Sequence, residues 1–277
     1  MAKESIEQDN PKHEMSFFEH IEVLRWHFFR SFISIVIAAC VIFLYHKQIF
    51  DVVLFGLLDD NFPTYKFLCY LSQQSSILES LCMKGINVTI QNVDVAGQFA
   101  AATKLSILGG FIVTFPYVFW EFWRFVKPGL HDVEVQKSST VIFWSSLLFL
   151  VGCLFGYFIM APFSIGFLST FTLSDKVENQ LNLANYISFL NTSVLACGIV
   201  FELPIISYFL SKVGLLTPVF MRSHRKEAIV ANLILSAIVT PGDVTSQLIV
   251  ALPIFILYEV SIFISARVNK HHVQEWT

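Results

Sequence analysis

The apolar positions of this chain fall into long runs, at 28–45, 100–122, 141–163 and 186–210, separated by segments that carry the charge, proline and glycine. A helix needs ~20 residues to cross a hydrocarbon layer of about 30 Å, so each run predicts a membrane-spanning helix. Two further runs, at 228–240 and 248–264, are shorter. The first reaches only about 20 Å at 1.5 Å per residue. Local bilayer thinning or tilt accommodates such a pair, so six spans with the last two short are expected, a re-entrant hairpin being the competing arrangement. Ahead of the first run, Phe17, Phe18, Ile21, Leu24 and Phe28 recur at helical spacing opposite Glu19, Glu22 and Arg25. That pattern predicts an interfacial amphipathic helix.

The fold class that follows is an all-α membrane protein in three parts. A polar N-terminal tail occupies 1–15, the membrane domain 16–267, and a C-terminal tail 268–277. Composition agrees: of 277 residues 55% are hydrophobic and 14% charged, where soluble domains carry about 25% charged residues. Mean hydropathy is +0.64. A net charge of −3 gives no sign of a nucleic-acid partner. Charge placement says more than charge total. Putting both termini and the segments 123–140 and 211–227 on one side of the bilayer gathers 13 of the 18 Lys and Arg there. By the positive-inside rule that side is the cytoplasm, and both termini face it. No cleavable signal and no transit peptide are evident, so the first run is expected to stay as an anchor in a bacterial inner membrane.

Cys40, Cys153 and Cys197 lie in apolar runs and read as small buried hydrophobes, whereas Cys69 and Cys82 share the long polar loop 46–97. On the oxidising side of the membrane that pair can form a disulfide, the alternative being two unpaired loop cysteines. The costliest residue in the sequence is Glu202, in Phe201-Glu202-Leu203-Pro204, with no Lys or Arg between Tyr186 and Ser211. A carboxylate at mid-membrane costs roughly 2.5 kcal/mol or more on insertion scales, which makes it a functional candidate. Glu259 is a second intramembrane acid, with Arg267 or a neighbouring backbone group as its expected partner.

Five local patterns occur together. They are His20-Ile21-Glu22-Val23-Leu24-Arg25; the stretch from Pro116 through Trp123 and Phe125 to Pro128-Gly129-Leu130; Gly156-Tyr157-Phe158 with Pro162; Phe201-Glu202-Leu203-Pro204; and Thr240-Pro241-Gly242-Asp243 running on to Gln247. In order and spacing, over 16–267, they resemble the TatC family, the polytopic receptor subunits of the twin-arginine protein translocase. The resemblance implies a receptor that binds twin-arginine signal peptides at the cytoplasmic face. It implies assembly with TatA- and TatB-type single-span partners in an oligomeric complex that exports folded proteins on the proton-motive force. No enzyme activity, cofactor or metal is implied.

Residue by residue, the resemblance points to Glu134 as the carboxylate that meets a signal-peptide arginine. A guanidinium binds such a group in a fixed, two-pronged geometry. Phe125 and Trp123 match aromatic positions flanking the peptide, and Asp243 and Gln247 match a polar pair in the outer turn; Asp243 also reads as a helix cap. Glu202 and Pro204, with Glu259, are expected as intramembrane or partner-contact positions. The family's helix-1 glutamate falls on Val23, with Glu22 one residue earlier and Glu19 one turn before. A one-residue step turns a side chain about 100° around a helix, so Glu22 does not inherit the role directly; either acid, beside Arg25, is a candidate. The outer-loop proline of the family is Leu57 here.

Two rival readings come from other classes. In a proton-coupled transporter Glu202 would be the protonation site, but no internal repeat accompanies it and the polar residues cluster at the loops. For an intramembrane enzyme the metal-binding and nucleophile motifs His-Glu-x-x-His and Gly-x-Ser-x-Gly are both missing from the sequence.

Overall fold

The computed structural model describes residues 17–74, 89–126, 138–172, 174, 179–240 and 244–275. Its first helix, α1 (Phe17–Leu44), is unbroken. Neither glycine nor proline interrupts that stretch, so the amphipathic segment and the first span merge into one rod. Helix α2 (His46–Ile49) continues into a π-helical segment, Phe50–Phe55, and a loop leads to α3 (Pro63–Gln74). Strand β1 (Ile90–Gln91) precedes α4 (Gly97–Val126), which runs antiparallel to α1 and is its main neighbour.

The third rod consists of α5 (Ser138–Phe155), a π-helical turn at Gly156–Met160, and α6 (Ala161–Thr170). Strand β2 (Leu181–Asn182) pairs in parallel with β1, a short exception among described elements that are otherwise helical. Helix α7 (Leu183–Phe201) is capped by Asn182, whose side chain accepts the Ala184 amide at 2.8 Å, and α8 (Leu203–Lys212) follows after a break at Glu202. Beyond Gly214, the positive-φ glycine that ends α8, come α9 (Pro218–Ser223), α10 (Arg225–Val239) and α11 (Val244–Glu275).

Five of the described helical stretches are long and apolar enough to cross a membrane: Glu22–Leu44, Gly97–Phe125, Thr140–Thr170, Leu183–Lys212 and Ser246–Asn269. The expectation of two short final spans is therefore corrected in one half. At 15 residues α10 is short, but α11 has 32 residues and carries its helix through Arg267 into polar sequence. Helical hydrogen bonding continues there because no breaker follows Pro253, so hydropathy alone underestimates the length. Two amides tie the short helix to the long one. Asn232 donates to the Ala251 carbonyl at 2.8 Å and Gln247 to the Leu233 carbonyl at 3.0 Å.

We call the end where α1 begins and α4 finishes the near end. At the far end the π-helical segment is held by tyrosines, Tyr157 donating to the Val53 carbonyl and Tyr186 to the Leu54 carbonyl, each at 2.9 Å. Tyr65 donates to the Leu57 carbonyl at 3.0 Å, and burial pushes its phenol up to about 12. Pro162 has no amide to offer the Phe158 carbonyl one turn before it. The Thr64 hydroxyl of α3 takes that place, so the loop helix docks on the third rod. Cys69 is disulfide-bonded, while Cys82 lies outside the described residues.

The core gathers around Phe149, fully buried and stacked on Phe115 with ring centres 3.6 Å apart. Helices α5 and α7 meet there backbone to backbone: a Cβ on Gly152 would stand 2.7 Å from the Cys197 carbonyl oxygen, and one on Gly156 2.9 Å from the Val194 Cα. We expect Gly152→Val to force the two helices apart, at about 1–3 kcal/mol, the usual range for overpacking. The check is the thermal unfolding midpoint in detergent, which should fall; an unchanged midpoint would contradict the close packing.

Candidate functional site

Two buried carboxylates stand toward the near end, each held by a helix distant in sequence. Glu121, on the last turns of α4, is 1% exposed. Its Oε2 is bonded to His27 Nδ1 of α1, and its Oε1 accepts the Tyr117 hydroxyl at 2.9 Å. Both oxygens are thus engaged, as a buried carboxylate requires. Around this group Arg124 lies over the Trp120 ring at 4.8 Å, and Arg25 over Trp26 at 5.9 Å.

Glu202 is the second, 9% exposed, at the residue between α7 and α8. The break has a local cause. Pro204 cannot donate to the Val200 carbonyl, and the chain responds with a tighter turn in which the Glu202 amide bonds to the Ile199 carbonyl at 3.1 Å. The Glu202 carbonyl then accepts the Ile205 and Ile206 amides, at 2.9 and 3.0 Å, to start α8. Its side chain turns inward, Oε2 accepting the Ser145 hydroxyl of α5 at 2.9 Å. The other oxygen, Oε1, is buried without a hydrogen-bond partner. Glu202 and the fully buried Pro204 face the interior of the chain.

The remaining site candidates divide clearly. Glu22 and Arg25 are exposed on the first turns of α1, with Val23 between them. Glu19 belongs to the same helix, though its side chain lies outside the described set. Phe125 is half-buried at the end of α4, whereas Trp123, expected beside the peptide, is buried and packs on Phe209 of α8 at 5.0 Å between ring centres. Glu134 and Asp243 lie outside the described residues. Gln247 is the clasp to α10 described above. Glu259 does not meet Arg267; Arg225 Nη2 donates to its Oε2 at 2.8 Å, because the first turn of α10 lies against α11 at that level.

The family model described as Sec-independent protein translocase protein (TatC) matches residues 19–253. The chain belongs to the TatC family. A TatC protein of Blattabacterium sp. subsp. Periplaneta americana (strain BPLAN) is 41% identical over 262 residues, covering 94% of this chain and 98% of its own length. One from Helicobacter pylori strain 26695 is 40% identical over 168 residues, 61% of this chain and 66% of that one. A crystal structure of the twin arginine translocase receptor TatC shares 30% identity and superposes with a TM-score of 0.65, covering 91% of this chain and all of that one. This TatC-family chain is therefore a membrane protein and a component of a protein translocase, a transport protein in class.

Glu121 went unsingled in the sequence although it stands in the quoted Trp120-Glu121-Phe122-Trp123 stretch. The signal was present: an acid flanked by large aromatics in an apolar run carries the same cost as Glu202. Its partner, 94 residues away, was not legible. For Glu202 the geometry makes a specific forecast. Ser145→Ala leaves both carboxylate oxygens without a donor and should cost about 1–3 kcal/mol. Adding Glu202→Leu to that variant removes the orphaned group and should recover most of the loss. Additive losses in the double variant, measured by unfolding in detergent, would refute the pairing.

Proposed function

We propose that this chain is the translocase subunit that reads twin-arginine signal peptides at the cytoplasmic face, and that the near end of the bundle is that face. The carrying observation is the convergence of the two segments that bear the candidate acids. The His27–Glu121 bond joins the start of α1, with Glu19, Glu22 and Arg25, to the end of α4, from which Phe125 leads into the segment bearing Glu134. Two arginines need two carboxylate positions within one peptide's reach, and the meeting of α1 with the end of α4 supports this reading. Arg124, Arg225 and Lys226 at the same end agree with a cytoplasmic setting, and in this reading both termini share it.

In this reading α10 is a sixth, short span, the membrane domain covers 16–267, and the bilayer is a bacterial inner membrane. The Cys69 bond, paired with Cys82, and the segment with Asp243 and, on the first turn of α11, Gln247 then lie on the outer side. TatA- and TatB-type single-span proteins assemble with the chain in an oligomeric complex, and the proton-motive force drives export of folded cargo. Glu202 and Glu259 serve later steps inside the membrane.

Site-specific crosslinking tests the assignment. Glu134→Lys should abolish crosslinks to a twin-arginine precursor while leaving the protein inserted; unimpaired crosslinking would remove that residue from the site. Glu202→Ala should leave precursor binding intact and slow export, and export at the parental rate would overturn its role.

A further inference from the structure

At the far end, where α1 stops and α4 begins, a cavity of about 720 Å³ opens between α1, the π-helical segment, β1 and α4. Ligand pockets run from ~300 to 1,000 Å³, so there is room for a lipid headgroup and the chains just below it. Phe43, Phe99 and Ala102 of its lining belong to the apolar stretches Glu22–Leu44 and Gly97–Phe125, and the two rings meet edge to face with centres 5.8 Å apart. His46, Lys47 and Asp51 follow the end of the first stretch, and Asn92 precedes the start of the second. The cavity therefore straddles the boundary between hydrocarbon and water, the height at which a phospholipid joins its acyl chains to its headgroup. Ile90 of β1 and Leu183 at the start of α7 also line it, held together by the β1–β2 pairing.

The polar part carries both signs of charge. Lys47 is exposed in α2 and Asp51 comes one helical turn later, yet among the described residues neither forms an ion pair or a side-chain hydrogen bond. His46 donates through Nδ1 to the Phe43 carbonyl at 2.8 Å, which leaves Nε2 of the neutral ring as an acceptor. We propose that this cavity binds a phospholipid with a zwitterionic primary-amine headgroup, of the phosphatidylethanolamine class, in the far-end leaflet. Lys47 meets the phosphate, Asp51 and His46 accept from the ammonium, and the acyl chains leave along Phe43 and Phe99. Each lipid charge then has an opposite charge, joined by charge-assisted hydrogen bonds. An anionic headgroup brings no cation to offset Asp51, and a choline has no N–H to give the carboxylate; selectivity comes from these mismatches as much as from the contacts made.

The test uses the full chain in detergent micelles and a phosphatidylethanolamine that carries a fluorophore on one acyl chain, whose anisotropy reports binding. Unlabelled phosphatidylethanolamine should displace it at about a tenth of the concentration needed for phosphatidylglycerol or phosphatidylcholine, tenfold being the lower end of what a hydrogen bond to a charged group is worth. Asp51→Asn should weaken phosphatidylethanolamine about tenfold and leave phosphatidylcholine unchanged, whereas Lys47→Gln should weaken all three lipids. Both side chains are exposed, so the unfolding midpoint in detergent should stay at the parental value in each variant. Equal or reversed displacement by the three lipids, or parental affinities in both variants, overturns the proposal. So does a chain that takes up no labelled lipid and forms dimers broken by Asp51→Lys, which makes the cavity a contact between two copies.

Discussion

Inside a bilayer a backbone carbonyl has no water to turn to, so every amide that proline removes must be replaced from within the protein. Much of this architecture follows from where that replacement comes from. At Pro162 the donor is a hydroxyl from another element, Thr64, and the far-end loop is thereby fastened to the third rod. At Pro204 the chain breaks its helix and starts another, which leaves Glu202 at the corner with its side chain turned to Ser145. The same deficit thus produces a docking point in one place and an inward-facing acid in the other.

The two buried acids differ in how completely they are satisfied. Glu121 has a partner on each oxygen, and it sits where two helices must keep a fixed relation. Glu202 has a donor on one oxygen only, beside a helix break. In a low-dielectric interior a fully bonded carboxylate makes a rigid joint, and a half-bonded one leaves an unmet demand that a change of conformation can answer. The first ties two helices together, and the second leaves one oxygen unmet at a helix break.

Much of this was legible in the sequence, for reasons that can be named. Four spans stood out because hydropathy over ~20 residues is a strong signal, and Glu202 because nothing charged surrounds it. The motif spacing pointed to the family. What stayed hidden was set by contacts between distant residues. Trp123, expected beside the peptide, is buried against Phe209, and Glu259 meets Arg225 because α10 folds back along α11. The length of α11 escaped because a helix is sustained by its own hydrogen bonds after hydropathy has faded. On α1 a single valine in place of an acid left Glu19 and Glu22 undecided, and the backbone geometry of that helix does not choose between them.

Helix α1 has one principal neighbour, and only 6% of its most apolar window is buried inside the chain. Its other sides present Phe28, Phe32 and Ile37 outward. During synthesis α1 leaves the ribosome well before α4 exists. With so little of it covered, α1 relies on its own hydropathy to stay in the membrane. His27 waits near its entry end until Glu121 arrives. Among the described residues the bundle touches its first helix along one side only, through α4.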